Sequence, residues 1–397
     1  MYQPSFQDPK VTKDIVGSSY VPLLRFLKNH RSKVSVTLSI PLSTLYQLDS
    51  NLIKTIKELE KSGVVELIST AAYHPLLTKI SDWAIEKQIV LNEFGLGYYL
   101  GSKKGFEGED AVLLQNIVGF FPPELAVNEN VVSAVKSLGY SWMLVDSVCI
   151  DEANDITVGE FNDMILVIRD TRLSNLISFK RDTDIHDILS ELEKTKKVKK
   201  NVVVALDAEF FGHHFKKGIL LLEKLVVELD DLGINMTTVS SLISNVTPTP
   251  IQNVRESTWG ASYQDIIDGN IYPFWDVSGN KLHQKLWELQ KLLEAPDALE
   301  VNIDPALIPE TFPVWDTNEI NNLPDENSKK GLLKELLTLK CMSSDQFWWS
   351  SKAKILDLTL YDPEMVKKSL QLYKRYAEFS GNSTKINELI FEIESLL

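Results

Sequence analysis

Residues 201–214 read Asn-Val-Val-Val-Ala-Leu-Asp-Ala-Glu-Phe-Phe-Gly-His-His. An apolar, β-branched run with no polar alternation breaks at once into Asp207, Glu209, His213 and His214. A strand without alternation is buried on both faces, as in a parallel sheet covered by helices. Ionisable side chains just past its carboxyl end fall where such a sheet or barrel opens to a ligand. Runs of the same texture occur at 34–40 (VSVTLSI), 64–70 (VVELIST), 117–121 (IVGFF), 141–146 (SWMLVD) and 234–240 (INMTTVS). Segments with helical spacing separate them, at 51–61, 80–94, 185–194 and 220–232, and Gly63 and Gly233 stand where helices should stop. Strand and helix in alternation predict parallel strands with crossover helices, hence an α/β barrel or a doubly wound sheet. Residues 165–168 (ILVI) read as an extra strand in an insertion, because no helical pattern precedes them.

The texture changes near Pro248. Residues 247–250 (TPTP) can continue neither a helix nor a central strand. Beyond His283 the spacing predicts helices over 285–293, 329–339, 363–379 and 385–397, and 305–325 reads as an ordered loop. Two parts follow: a barrel over 1–250, and a linker with a C-terminal all-α region over 251–397. The basic run 194–200 (KTKKVKK) reads as a solvated helix end.

The chain has 397 residues, enough for a large core, and a formal net charge of −14. That charge repels phosphate backbones and anionic lipid, so neither nucleic acid nor a membrane is expected as a partner. Two cysteines, Cys149 and Cys341, exclude a disulfide framework and a cysteine-rich zinc module. With no run of eighteen apolar residues and no leader-like start, the chain reads as cytosolic. Oligomeric state is not legible here.

Four strand ends carry an ionisable group near the expected mouth. The run at 117–121 ends in Pro122-Pro123-Glu124, where two prolines fix the backbone ahead of the carboxylate. The others are Asp207 with Glu209, His74 in Tyr73-His74-Pro75, and Asp146. Any one of them could be only a helix cap or a solvated loop residue. The pair Glu124 and Asp207, on different strands, fits glycosidic bond cleavage, in which one carboxylate attacks the anomeric carbon and the other protonates the leaving oxygen. A metal site is the competing reading: Asp207, one of His213 and His214, and another acid could chelate an ion, as in a metal-dependent polysaccharide deacetylase. Against it, adjacent histidines diverge on either a helix or a strand, and no HxxxH or HExxH spacing occurs. GxSxG, GxGxxG and GxxxxGK[ST] are also absent. Trp259, Trp275 and the pair Trp348–Trp349 are flat rings suited to a pyranose face, with core packing as the alternative.

These motifs, in order along most of the chain, resemble glycoside hydrolase family 57, which comprises α-glucan-active amylases, glucanotransferases and branching enzymes. Met1-Tyr2-Gln3-Pro4 is similar to the tail of the family's first motif, HxHQP. Gly63-Val64-Val65-Glu66 with Tyr73-His74-Pro75 is similar to the second. Residues 119–124 (GFFPPE) are similar to the third, and 206–213 (LDAEFFGH) to the fourth. Ser257-Thr258-Trp259-Gly260, with His283 and Trp287, is similar to the fifth. The third and fourth are specific; the first and fifth are weaker alone.

The resemblance implies a distorted seven-strand (β/α) barrel with a C-terminal helical region. It also implies a retaining mechanism on an α-glucan or maltooligosaccharide, with Glu124 as nucleophile and Asp207 as general acid/base, about 5 to 6 Å apart. No metal or other cofactor is needed for that chemistry. Glu66, His74, Glu209, His213, Trp259 and Trp275 are then the substrate-binding candidates. In the family a strand and a histidine precede the QP element, and here Tyr2 stands where a histidine is common. The barrel is therefore expected to lack its first strand, either as a shortened form of a longer active chain or as a short protein of weakened activity. The latter would be a carbohydrate-binding member of the same scaffold.

Overall fold

The computed structural model describes residues 1–101, 117–150, 155–179, 184–293, 326–355 and 358–397. The expected loop at 305–325 lies outside the described residues.

The wall of the barrel is built from short parallel strands. β1 (Val36–Ser39) pairs with β2 (Val65–Ile68) in register, Val36 opposite Val65. β3 (Gly119–Phe120) meets β2 through the parallel bridge Ser69–Phe120. β4 (Trp142–Asp146) pairs with β3, and Gly119 lies opposite Trp142. A glycine is needed there: a Cβ on Gly119 would stand 2.1 Å from the Trp142 ring. Beyond β4 come two strands, β5 (Val158–Phe161) and β6 (Met164–Arg169). β6, which contains the run 165–168, pairs parallel with β4, Trp142 opposite Ile165, and so is a wall strand rather than an addition. The added strand is β5, antiparallel to β6. β7 (Thr249–Pro250) pairs parallel with β5. Without a helix between β4 and β6, the sequence pattern concealed that they are neighbours.

The expected strands at 201–206 and 234–240 differ from their reading. Residues 201–206 are extended beside β6 but enter no ladder; the Asp170 amide donates to the Val203 carbonyl at 2.8 Å. Residues 234–240 meet the chain just before β1 at one parallel bridge, Val34–Met236. The chain then turns into the helix Val239–Ile243, capped by Thr238. The α/β reading holds: a distorted barrel with a helical C-terminal region. No ladder joins 201–206 to 234–236 among the described residues.

Strand alternation sorts the side chains. Ile68, Trp142, Leu144, Val167 and Val203 fill the barrel. Met143, Val145, Leu166 and Ile168 point outward against the helices. That outer core continues from Ile89 in the helix Asp82–Leu100, through Leu286, to Leu370 and Ile390. The C-terminal helices Lys281–Lys291, Glu326–Cys341, Pro363–Ala377 and Ser383–Leu396 pack on it and bring residues 343–348 to the mouth. Within the basic run, Lys199 folds inward against Asp170 at 3.8 Å rather than into solvent.

Candidate active site

Glu124 leaves β3 through Phe121-Pro122-Pro123 and sits in a single 3₁₀ turn. Its backbone is left-handed, φ 56°, as is that of Leu125 at φ 47°. Residues without glycine's freedom hold this conformation at a cost of about 1–3 kcal/mol each, so the surroundings must impose it. Trp259 does so in part: its backbone N–H donates to the Glu124 carbonyl at 3.1 Å. On the side chain, the Trp259 Nε1 donates to Oε2 at 2.8 Å and the Ser344 hydroxyl donates to Oε1 at 2.9 Å. His74 Nε2 lies 3.4 Å from the same Oε1. Burial alone would push this carboxyl up. The hydrogen bond and charge of His74, with the indole and serine donors, outweigh it and hold Glu124 below the usual carboxylate range.

His74, also left-handed at φ 56°, follows β2 in a clamped loop. The buried Gln88 receives the Tyr73 amide at 2.9 Å and the Ala72 amide at 3.0 Å. Ser344 donates its amide to the His74 carbonyl at 3.0 Å, and Pro75 bridges to Ser343. The Tyr2 ring stacks on the imidazole, centroids 3.9 Å apart. Its hydroxyl bonds to Asp345, which also receives the Ser343 hydroxyl at 2.7 Å. Burial raises Asp345 to about 6. Ser343, Ser344 and Asp345 were invisible as site residues in the sequence. They stand more than two hundred residues from Glu124, on no recognisable spacing.

Asp207 ends the 201–206 run. Its side chain is exposed. Desolvation by the surrounding protein, then the Glu209 carboxylate, and more weakly Glu124, push it above the usual aspartate value against the opposing ammonium of Met1. Glu209 is buried and receives the Tyr2 amide at 3.0 Å, the Gln3 side-chain amide at 3.2 Å and the Tyr20 hydroxyl. Burial raises it, but the ammonium of Met1 and these donors hold it ionised at a lowered value. The turn at 208–212 is seated on the π-helical segment Val16–Tyr20: Ser19 donates to the Ala208 carbonyl at 2.7 Å.

The remaining candidates scatter. Glu66 points into the barrel below the mouth, where it receives the Thr37 hydroxyl at 2.6 Å and the Ser240 amide at 3.3 Å. His213 is half-buried beside His214, ring centroids 5.0 Å apart. It makes no hydrogen bond to Glu124 or Asp207 among the described residues. Trp259 is half-buried and stacked on Phe179, centroids 5.4 Å apart. Trp275 is wholly buried beneath Trp259 and Trp348, and therefore supports the aromatic wall instead of offering a face to ligand. Among the described residues, no group of three or more His, Cys, Asp or Glu side chains could hold a metal ion. No described helix is long and apolar enough to cross a membrane.

Parallel strands carrying their ionisable groups at one mouth define a (β/α)-barrel enzyme. The chain belongs to glycosyl hydrolase family 57, whose sequence model matches residues 6–255. Its fold is similar to that of the α-amylase AmyC from Thermotoga maritima, with a TM-score of 0.64 and 12% identity over 99% of this chain and 94% of that one. It is similar to the family 57 branching enzyme from Pyrococcus horikoshii, TM-score 0.63 and 13% identity, over 98% and 90% of the two chains. It is also similar to the 4-α-glucanotransferase from Thermococcus litoralis, TM-score 0.61 and 15% identity, over 94% and 56%. No curated protein matches the sequence.

Proposed function

We propose that the protein is a retaining glycosidase or transglycosylase acting on α-linked glucans, with Glu124 as nucleophile and Asp207 as general acid/base. The observation that carries this reading is the divergence of the two carboxyl groups. Three donors on Glu124 favour its charged form, while crowding and the neighbouring charges of Glu209 and Glu124 favour the protonated form of Asp207. Carboxyl groups pushed apart in this way are suited to opposite roles.

In the first half-reaction a Glu124 oxygen bonds to the anomeric carbon. The bond to the departing sugar breaks, and its oxygen takes the proton of Asp207. In the second, the Asp207 carboxylate removes a proton from water or from an acceptor sugar hydroxyl, whose oxygen displaces Glu124. The α-glucan class is inferred from the amylase, branching enzyme and glucanotransferase whose folds this chain shares. Aromatic faces around Trp259 suit the apolar side of a pyranose.

The test is turnover of maltooligosaccharides by Glu124→Ala and Asp207→Ala, with folding checked by circular dichroism. Each variant should lose turnover, and azide should restore bond cleavage in Glu124→Ala. Near-normal rates in either folded variant overturn the assignment. A wild-type protein that binds maltooligosaccharides, releases no reducing sugar and leaves their chain lengths and linkages unchanged is a binding member of the scaffold instead.

A further inference from the structure

We propose that Arg169 is a positioning residue that, anchored by Asp146, pins the backbone carrying Asp207. This rests on the acid/base reading of Asp207 above. The 201–206 segment enters no ladder, so side chains must replace part of the hold that sheet hydrogen bonds would supply. Arg169, the last residue of β6, donates Nε to the Ala205 carbonyl at 3.1 Å. Ser174 receives the Ala205 amide at 3.2 Å, so both polar groups of that residue are tied. Asp207 is two residues on, about 7 Å of extended chain, and a rotation at Ala205 would swing its carboxyl across the mouth.

The guanidinium is itself fixed on all sides. One terminal nitrogen donates to Asp146 Oδ2 at 2.7 Å, the other to Asn175 Oδ1 at 2.7 Å. Asp146, the last residue of β4, is fully buried. Its second oxygen receives the Thr171 hydroxyl at 2.5 Å and the Val148 amide at 3.2 Å. A planar fork can serve three acceptors in fixed directions; a lysine ammonium on a flexible stem cannot reproduce them. A buried ion pair contributes little to net stability compared with an apolar substitute, which leaves geometry as its evident use here. This also accounts for the strand-end Asp146, for which the proposed double displacement has no role.

The experiment separates positioning from general damage by the leaving group. Departure of fluoride from α-maltotriosyl fluoride needs little proton assistance, whereas departure of a sugar from maltopentaose does. With misplacement by about 1 Å costing on the order of 10²-fold, Arg169→Lys should lower kcat/KM for maltopentaose about 10- to 100-fold. It should leave kcat/KM for the fluoride close to wild type. Equal losses on both substrates, or none on either, overturn the positioning role.

Asp207→Ala is run alongside. It should show the same selectivity more strongly, and if it does not, the acid/base reading itself fails. If Asp207→Ala is selective and Arg169→Lys is not, that reading stands and the inference about Arg169 falls. Should Arg169→Lys not fold, Asn175→Ala releases one arm of the fork without unpairing a buried charge. A smaller loss selective for maltopentaose supports the proposal, and wild-type values on both substrates overturn it.

Discussion

Trp259 holds Glu124 at two points, its indole Nε1 donating to Oε2 at 2.8 Å and its backbone amide to the Glu124 carbonyl at 3.1 Å. One tryptophan thus supports both the left-handed backbone and the charged form of the same residue, beside His74 and Ser344. Trp259→Phe keeps the backbone contact and the stacking on Phe179 but removes the indole donor. A hydrogen bond to a charged group is worth about 1.5–3 kcal/mol, so kcat/KM on maltooligosaccharides should fall about 10- to 100-fold. The lowered value of Glu124 should move back upward, and the acid limb of the pH profile should shift to higher pH. An unmoved acid limb contradicts this role for the indole.

Glu209 raises Asp207 by proximity of charge, second only to the crowding of the mouth. If Asp207 is the proposed acid, activity on the basic side is lost as pH rises through its value, because the acid must be protonated to act. Glu209→Gln keeps a carbonyl oxygen for the Tyr2 amide and removes the charge. The basic limb of kcat/KM should therefore move to lower pH. A basic limb that stays in place shows that another group sets it.

His283 is completely buried, with Nδ1 accepting the Val277 amide at 2.9 Å and Nε2 donating to the Phe347 carbonyl at 2.9 Å. Burial lowers it to about 4 against an ordinary 6.5. The unfolded chain takes up a proton below 6.5 that the folded chain refuses until about 4. Stability from this site is therefore complete above pH 6.5 and is lost as pH falls toward 4, up to about 3 kcal/mol. Urea unfolding of wild type and His283→Gln at pH 7 and 5 checks this. The variant should be less stable at pH 7, and its stability should fall less between the two.

Gly119→Ala places a methyl 2.1 Å from the Trp142 ring inside the barrel. Overpacking of this kind costs about 1–3 kcal/mol, occasionally more. Because Gly119 lies five residues before Glu124, activity should fall together with the urea midpoint. A variant of wild-type stability would show that the ring has room to move.

Periodicity is a local property, and much that follows from it was legible. The helices Ser50–Lys61 and Ile185–Lys196 and the strand β4 stand within a few residues of their expected bounds. So does the helix Lys281–Lys291, expected at 285–293. The pattern failed where a neighbour is set by pairing: β6 looked like an insertion, and 201–206 looked like a ladder strand. Of the residues around Glu124, Trp259 and His74 could be named in advance as candidates, because each follows a strand-like run or a motif. Ser344 and Asp345 could not, since a serine and an aspartate near a short helix carry no signal of their own.

Chain order alone placed Glu124 just past the run that becomes β3 and Asp207 just past another apolar run, and so marked both as candidates. It could not determine what they meet there. Ser344 reaches Glu124 across 220 positions and Trp259 across 135, and Arg169, held by a buried ion pair with Asp146, donates to the Ala205 carbonyl. Protonation is the further case. Charge and desolvation act through space, so which carboxyl is held low and which is pushed up was decided only when the tertiary fold set their neighbours.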